Sequence, residues 1–127
     1  MMSRFRKLAC VALALAGLAG AASADESVLA GQQVFERSCR TCHGGKRADF
    51  PIGPSLVGII GTKAGTQPSG VHSRSAIDSG IVWDRESLRR FLSEPPRDPP
   101  APGPLMRTRV EDPRELESLL DYLESLR

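Results

Sequence analysis

The sequence predicts a small all-α domain, with three main helices joined by long loops rich in glycine and proline. Two observations indicate this class. Three segments, at about 28–40, 84–94 and 112–126, repeat apolar residues at the three- and four-residue spacing of an amphipathic helix. The stretches between them hold most of the glycines and prolines, which favour turns over regular elements. We therefore expect helices that pack together while long irregular segments connect them.

The first helix is predicted from about Val28 to Arg40. Three residues before it suit a capped N-terminus that the helix dipole favours: Asp25, Glu26 and Ser27. Its apolar or small positions lie near one face by the helical period: Val28, Gly31, Phe35 and Cys39. A glycine at position 31 would allow another helix to approach closely.

The second and third helices have clearer ends. The second is predicted from about Asp84 to Glu94, and Pro95-Pro96 stops it. The third begins with Asp112 as cap, Pro113 at its first position and Glu115 at the third, a start resembling a capping box. Each has an apolar stripe that is interpreted as ordinary core: Leu88, Phe91 and Leu92 in one, and Leu116, Leu119, Leu120, Leu123 and Leu126 in the other.

Residues 39–43 carry the motif Cys39-Arg-Thr-Cys42-His43. Two thiols at this spacing can each add to a vinyl group of one haem, and the histidine that follows can bind the iron. A thioredoxin-like pair would need a βαβ setting, and a structural zinc site would need four ligands. A plain disulfide would leave His43 without a function. The motif therefore predicts one covalently attached haem c.

The N-terminus has the pattern of a secretory signal peptide. Three basic residues precede an apolar run from Leu8 to Ala22, and Ala22-Ser-Ala24 matches a cleavage signal. We expect residues 1–24 to be removed and residues 25–127 to form one monohaem domain, exported to a bacterial-type periplasm. The apolar run is too short and wrongly flanked for a membrane span.

Charge excludes a class of partners. The whole chain has a formal net charge of +2, but without residues 1–24 it keeps 14 basic and 15 acidic side chains, a charge of −1. Only Lys46 and Lys63 remain as lysines. A basic face for nucleic acid or anionic lipid is therefore not expected. Aromatic residues are also few, so a buried porphyrin would supply apolar bulk that a domain this small lacks.

A second iron ligand is predicted near the other end of the chain. Met106 is the only methionine outside the signal peptide, and it follows a segment, 95–104, with six prolines. Such a segment is stiff, so it can hold a ligand in place, and a thioether opposite histidine raises the reduction potential. Met106 could instead be a gap-filling core residue, and His72 is the rival ligand.

Over residues 28–127 the chain resembles a class I c-type cytochrome. The resemblance is carried by Gly31-Gln-Gln-Val-Phe35, by the Cys39–His43 motif, by the glycine-rich segment 53–65, and by Gly80-Ile-Val-Trp83 before the second helix. It implies a cytochrome c fold in which Gly31 and Phe35 cross the last helix around Leu119 and Tyr122.

The resemblance also implies two residues of the haem environment. The carbonyl of Pro54 would accept a hydrogen bond from His43 and so orient the axial ligand. The indole N–H of Trp83 would bind a haem propionate. Thr62 and Ser73 stand where the family has an arginine and a tyrosine near the propionates, and His72 or Arg74 could replace them.

These features predict an electron carrier rather than an enzyme. A dehydrogenase or quinol-oxidising complex would reduce it, and a reductase or terminal oxidase would oxidise it. We expect a monomer or weak dimer. The alternatives are a haem subunit of a larger oxidoreductase, and a ligand-binding or peroxidatic protein if Met106 is not bound to iron.

Overall fold

A computed structural model describes residues 23–44, 52–94, 106 and 108–127 of the chain. Its helices are α1 (residues 23–38), α2 (Arg40–His43), α3 (Arg74–Asp78), α4 (Arg85–Ser93) and α5 (Pro113–Ser125). Within those ranges the only extended pairing is an isolated antiparallel bridge between Lys63 and Val82. None of the described helices is long and apolar enough to cross a membrane. The three predicted helices correspond to α1, α4 and α5.

The first helix differs from the prediction at its start. Residues 23–38 are helical, so Asp25, Glu26 and Ser27 lie inside α1 and do not cap it. The Ser27 hydroxyl instead donates a hydrogen bond to the Asp121 carboxylate on α5. The helix begins earlier in the sequence than predicted. These polar residues face solvent or α5, so they do not compete with the helical hydrogen bonds.

The capping box lies at the start of α4, whereas it was predicted at the start of α5. At α4 the Asp84 carboxylate accepts from the Ser87 N–H, while the Ser87 hydroxyl accepts from the Asp84 N–H. At α5 Asp112 caps as expected, accepting from two backbone N–H groups with Pro113 at the first position. The Glu115 side chain, which was expected to complete a capping box there, forms a 2.7 Å ion pair with Arg37 on α1.

Two short helices were not predicted. The single turn of α2 holds Cys42 and His43, and α3 begins where the Ser73 hydroxyl accepts a hydrogen bond from the Ala76 N–H. Elements of four and five residues bury too little to show apolar periodicity, and none of their residues is fully buried.

The core forms where α1 crosses α5. A Cβ atom added to Gly31 would lie 1.8 Å from the Ser118 carbonyl oxygen and 2.8 Å from the Tyr122 Cβ, so the two backbones nearly touch. One turn along, the rings of Phe35 and Tyr122 pack with centroids 5.4 Å apart. The crossing predicted from the family pattern is therefore present, centred on Ser118 and Tyr122. The buried residues of α4 and α5 pack behind it: Leu88, Leu92, Leu116, Leu119, Leu120 and Leu123.

Ion pairs join α4 to α5 on the solvent side. Arg89 binds the Glu117 carboxylate through two nitrogens, at 2.7 and 3.0 Å, and Arg85 reaches the same carboxylate at 2.9 Å. Arg85 also lies 2.8 Å from both Asp121 and Glu124. The hydrogen bonds from Arg89, and then those from Arg85, lower the pKa of Glu117 from 4.5 to about 2.

We expect Glu117→Gln to lower the free energy of unfolding by about 1 kcal/mol at pH 7, since Glu117 is half exposed and solvent screens its pairs. Because the folded state depresses this pKa, the contribution is complete above pH 4.5 and is lost as the pH falls towards 2. Urea unfolding at pH 7 and pH 2.5 measures it. Glu111→Gln, at an exposed carboxylate with no ion pair among the described residues, is the control; equal losses in both variants would contradict the prediction.

Candidate functional site

One cavity, partly open to solvent, lies between the helices and the long loop 52–73. The wall of the cavity is mostly apolar. The residues that the sequence singled out as cofactor-binding or metal-ligating all line it: Cys39, Cys42, His43, Pro54, Trp83 and Met106. They come from four separate parts of the chain, so the fold itself collects them. A mostly apolar cavity with a few polar groups in its wall suits a large, mostly apolar ligand with a few polar contacts.

A hydrogen bond to the backbone of Pro54 holds the His43 side chain. Its Nδ1 lies 2.7 Å from the Pro54 carbonyl oxygen. Because a carbonyl oxygen only accepts, Nδ1 carries the proton and Nε2 keeps its lone pair. The hydrogen bond thus fixes the tautomer and the ring orientation that a metal-binding histidine needs.

Two glycines behind His43 were missed as site residues. A Cβ atom on Gly53 would lie 2.6 Å from His43 Cε1, so the imidazole rests directly on the glycine. A Cβ on Gly70 would lie 2.2 Å from the carbonyl carbon and oxygen of Gly53, and its φ of +78° also favours glycine. The backbone at Gly70 therefore supports the Gly53-Pro54 segment, which supports His43. In the sequence, the glycine pattern of 53–65 was visible, but nothing placed Gly70 beside it.

The two cysteines differ in their surroundings. Cys39 is buried and Cys42 is exposed, and both thiols are free. Burial raises the pKa of the Cys39 thiol to about 11, so it is protonated at neutral pH. A redox-active pair of the thioredoxin kind needs a thiolate with a lowered pKa. The described residues also contain no cluster of three or more His, Cys, Asp or Glu side chains that could hold a metal ion. Neither the thioredoxin-like nor the zinc interpretation of the motif gains support.

Met106 and His72, the two candidates for the second ligand, both line the cavity and are half-buried. Met106 packs against the core cluster. The His72 Nε2 already forms a hydrogen bond, since it lies 2.8 Å from the Gln67 carbonyl oxygen. The proline-rich segment expected to stiffen the approach to Met106, residues 95–104, lies outside the described residues, as does Leu105.

Trp83 is buried with its ring edge-on to Phe91, the centroids 5.2 Å apart. Its backbone is fixed as well, because its N–H donates to the Thr62 carbonyl and its carbonyl accepts from Gly61. No described residue accepts a hydrogen bond from its indole N–H, which leaves this donor for a ligand of the cavity.

The residues present fit a covalently attached haem. The cavity is apolar, two thiols and an imidazole stand together at one wall, and the imidazole keeps an unprotonated nitrogen. A soft thioether lines the same cavity, and the indole N–H of the buried Trp83 has no acceptor among the residues that the structure describes. This set matches the donors and the apolar surroundings that such a haem requires.

The residues aligned with the family's propionate ligands are engaged elsewhere. The Thr62 hydroxyl donates to the Ile59 carbonyl and accepts from the Gln67 amide, both at 2.7 Å. The Ser73 hydroxyl caps α3. Of the two proposed replacements, Arg74 is exposed and pairs with Asp78 at 3.2 Å, whereas His72 lines the cavity. The structure therefore favours His72 over Arg74 as the residue that replaces the family's propionate ligands.

Sequence comparisons point in the same direction as the site. The family model for cytochrome c matches residues 28–127. A cytochrome c2 of Agrobacterium tumefaciens (strain II Chrys) is 37% identical over 103 residues, which covers 78% of this chain and 91% of that protein. A cytochrome c2 of Rhodopila globiformis is 32% identical over 98 residues, covering 76% of this chain and 91% of the relative.

Solved structures are similar over the same region. Cytochrome cH from Methylobacterium extorquens matches with a TM-score of 0.64 and 28% identity, covering 77% of this chain and 97% of its own. Ferricytochrome c2 from Rhodopseudomonas palustris matches with a TM-score of 0.65 and 25% identity, covering 79% and 98%.

Proposed function

This chain belongs to the cytochrome c family, and on that basis we propose that it is a periplasmic carrier that moves one electron at a time between two redox proteins. Family membership confirms the predicted cytochrome c fold, the single covalent haem c, and an electron carrier rather than an enzyme. The proposal adds the residues that hold the haem, the ligands of its iron, the compartment and the partners.

Four residues would hold the haem and its iron. Cys39 and Cys42 would form the two thioether bonds, and His43 would bind iron through Nε2, the nitrogen that its bond to Pro54 leaves free. Met106 would supply the second protein ligand to the iron. A bound haem c supplies one-electron exchange between Fe(III) and Fe(II). The protein keeps both ligands in one arrangement and excludes water, so that little has to rearrange when the electron moves.

The observation that carries the proposal is the His43–Pro54 hydrogen bond at 2.7 Å in the same cavity as Met106. This geometry supports His43 as an iron ligand with a fixed tautomer, and Met106 as the thioether ligand for the remaining coordination position. A carrier needs both positions filled by the protein, because an open position would admit peroxide, nitric oxide or carbon monoxide.

The absorption spectrum of the purified holoprotein separates the carrier from the ligand-binding alternative. We expect a low-spin ferric spectrum with the weak red band of sulfur-to-iron coordination, and slow or absent binding of added carbon monoxide to the ferrous form. A high-spin ferric spectrum with rapid ligand binding would reject Met106 as ligand. Size-exclusion chromatography of the native extract tests the remaining alternative, since a subunit of an oxidoreductase would elute with its complex.

Export to the periplasm is proposed from residues 1–24, of which the structure describes only the last two. We expect the mature chain to begin at Asp25. Cleavage there would remove residues 23 and 24 from α1 and keep Ser27, with its hydrogen bond to Asp121. Mass spectrometry of the periplasmic protein gives the terminus directly. A chain that retains residues 1–24, or that stays in the cytoplasmic fraction, would contradict the prediction.

The proposed partners are a dehydrogenase or quinol-oxidising complex as electron donor and a reductase or terminal oxidase as acceptor. The proposed mature chain has a formal charge of −1 and two lysines, so docking through a ring of lysines is not available to it. Testing periplasmic dehydrogenase fractions for reduction of the ferric protein would identify the donor.

A further inference from the structure

The part of the loop that orients His43 is itself held by residues 69–71, which we call the supporting segment. The Pro54 carbonyl oxygen lies 2.7 Å from His43 Nδ1 and accepts its hydrogen bond. The Gly53 N–H donates to the Cys42 carbonyl at 2.8 Å, which ties the same part of the loop to α2. The supporting segment contacts it at three consecutive positions. The orientation of the histidine therefore depends on residues that are distant from it in the sequence.

Two hydrogen bonds attach the supporting segment. The Val71 N–H donates to the Ile52 carbonyl at 3.2 Å. The Ser69 hydroxyl accepts from the Ser55 N–H, also at 3.2 Å. Ile52 and Ser55 stand immediately before and after Gly53-Pro54 in the sequence. The two residues that contact the imidazole are therefore held on both sides.

Between these two bonds, Gly70 packs directly on the backbone. A Cβ atom on Gly70 would lie 2.2 Å from the carbonyl carbon and oxygen of Gly53 and 2.5 Å from the Pro54 nitrogen. A Cβ on Gly53 would lie 2.6 Å from His43 Cε1 and 2.8 Å from its Nδ1. Gly53 is thus in close contact with the backbone of Gly70 and with the imidazole, and it has little space to move towards either.

The His43–Pro54 hydrogen bond is sensitive to any displacement of this backbone. At 2.7 Å it lies at the short end of the range for N–H···O bonds, so moving the Pro54 carbonyl lengthens or bends it. Such a bond raises the basicity of an imidazole that binds a metal. A more basic ligand favours Fe(III), which carries one more positive charge than Fe(II), and so lowers the reduction potential. A weaker bond should therefore raise the potential.

We propose that Ser69 and Gly70 are positioning residues that set the reduction potential of this protein through the His43–Pro54 hydrogen bond. The inference rests on the proposed function, because it requires His43 to bind a haem iron. One electron from the donor protein converts Fe(III) to Fe(II), and the supporting segment keeps the Pro54 carbonyl at the same place in both states. Neither Ser69 nor Gly70 lines the cavity, so their effect on the iron passes through the histidine.

Redox titration of the holoprotein and proton NMR of its ferrous form test the proposal. In Gly70→Ala the new methyl group displaces Gly53-Pro54. We expect the equilibrium constant for reduction to rise at least threefold, which is about 28 mV for one electron, and the His43 Nδ1 proton to exchange with solvent at least tenfold faster. Ser69→Ala removes one hydrogen bond and should change both quantities in the same direction by less. Ser69→Thr keeps the hydroxyl and should match the wild type.

Gly80→Ala is the matched control. The φ of Gly80 is +68° and that of Gly70 is +78°, so alanine strains the backbone at both, but a Cβ on Gly80 has no contact within 4 Å. Both variants should lose stability, whereas only Gly70→Ala should change the potential and the proton exchange.

Wild-type values of both quantities in Gly70→Ala, or equal changes in Gly80→Ala, would overturn the proposal. If Gly70→Ala does not fold, wild-type values in Ser69→Ala overturn it instead. The red sulfur-to-iron band should persist in every variant that folds. Its absence from the wild-type protein would contradict the proposed function, which distinguishes the two failures.

Discussion

Replacing Met106 with alanine is expected to abolish the red sulfur-to-iron band, convert the ferric iron to high spin and lower the reduction potential by a large part of the roughly 0.8 V that axial ligands span. The thioether is a neutral, soft ligand that favours Fe(II), so its loss favours Fe(III). The open position should also bind carbon monoxide rapidly in the ferrous state. Absorption spectra report the red band and the spin state, potentiometry measures the reduction potential, and carbon monoxide binding tests the open position.

Two variants complete this experiment. Met106→His supplies a new ligand, so the iron should return to low spin while the potential stays low. Leu56→Ala is the matched control, because Leu56 lines the same cavity and is half-buried, but carries no ligand atom. It should keep the red band and a potential close to that of the wild type. A Met106→Ala protein that keeps the red band would show that Met106 is not the sulfur ligand of the iron.

Gly31→Ala is expected to destabilise the protein by about 2 kcal/mol or more. The new methyl group would lie 1.8 Å from the Ser118 carbonyl oxygen, and a backbone atom cannot rotate away. The helices α1 and α5 must separate, which disturbs the packing of Phe35 on Tyr122 and of the leucines behind it. Overpacking typically costs 1–3 kcal/mol, occasionally more. Here the cost exceeds the roughly 1 kcal/mol that alanine gains over glycine as a helix former.

Thermal unfolding of the holoprotein measures this loss. A loss of 2 kcal/mol corresponds to a fall in Tm of about 8–16 °C for a domain of this size. Gln32→Ala, one residue along α1 and exposed, is the control and should leave Tm almost unchanged. A Tm for Gly31→Ala equal to or above that of the wild type would mean that α1 and α5 do not cross as closely as described.

The sequence predicted the parts of the fold that depend on local chemistry. Asp112 and Pro113 begin α5 as expected, because a cap and an N1 proline act within one turn. The prediction failed where side chains had a choice of partner. Glu115 was expected to close a capping box and instead pairs with Arg37, which lies 78 positions earlier in the chain. The turn of α3 was missed, since five residues are too few for a helical period to be visible.

The candidate site divides in the same way. Cys39, Cys42 and His43 stand within five residues, so spacing alone relates two thiols and an imidazole to one haem. The contacts behind His43, by contrast, depend on the tertiary structure. Gly53 and Gly70 are 17 residues apart in the sequence, and only the folded loop brings them together. The His43 imidazole packs on Gly53, and Gly70 lies behind Gly53.

By itself, then, the sequence determined the cofactor, the family and the main helices, because each of these follows from residues that are neighbours along the chain. The tertiary structure decided which atoms meet. It gave His43 its tautomer through Pro54, placed Met106 in the same cavity, and separated His72 from Arg74 as the residue facing that space. The physical reason is that hydrogen bonds and close packing act over a few ångströms in space, and distance along the chain does not fix distance in space.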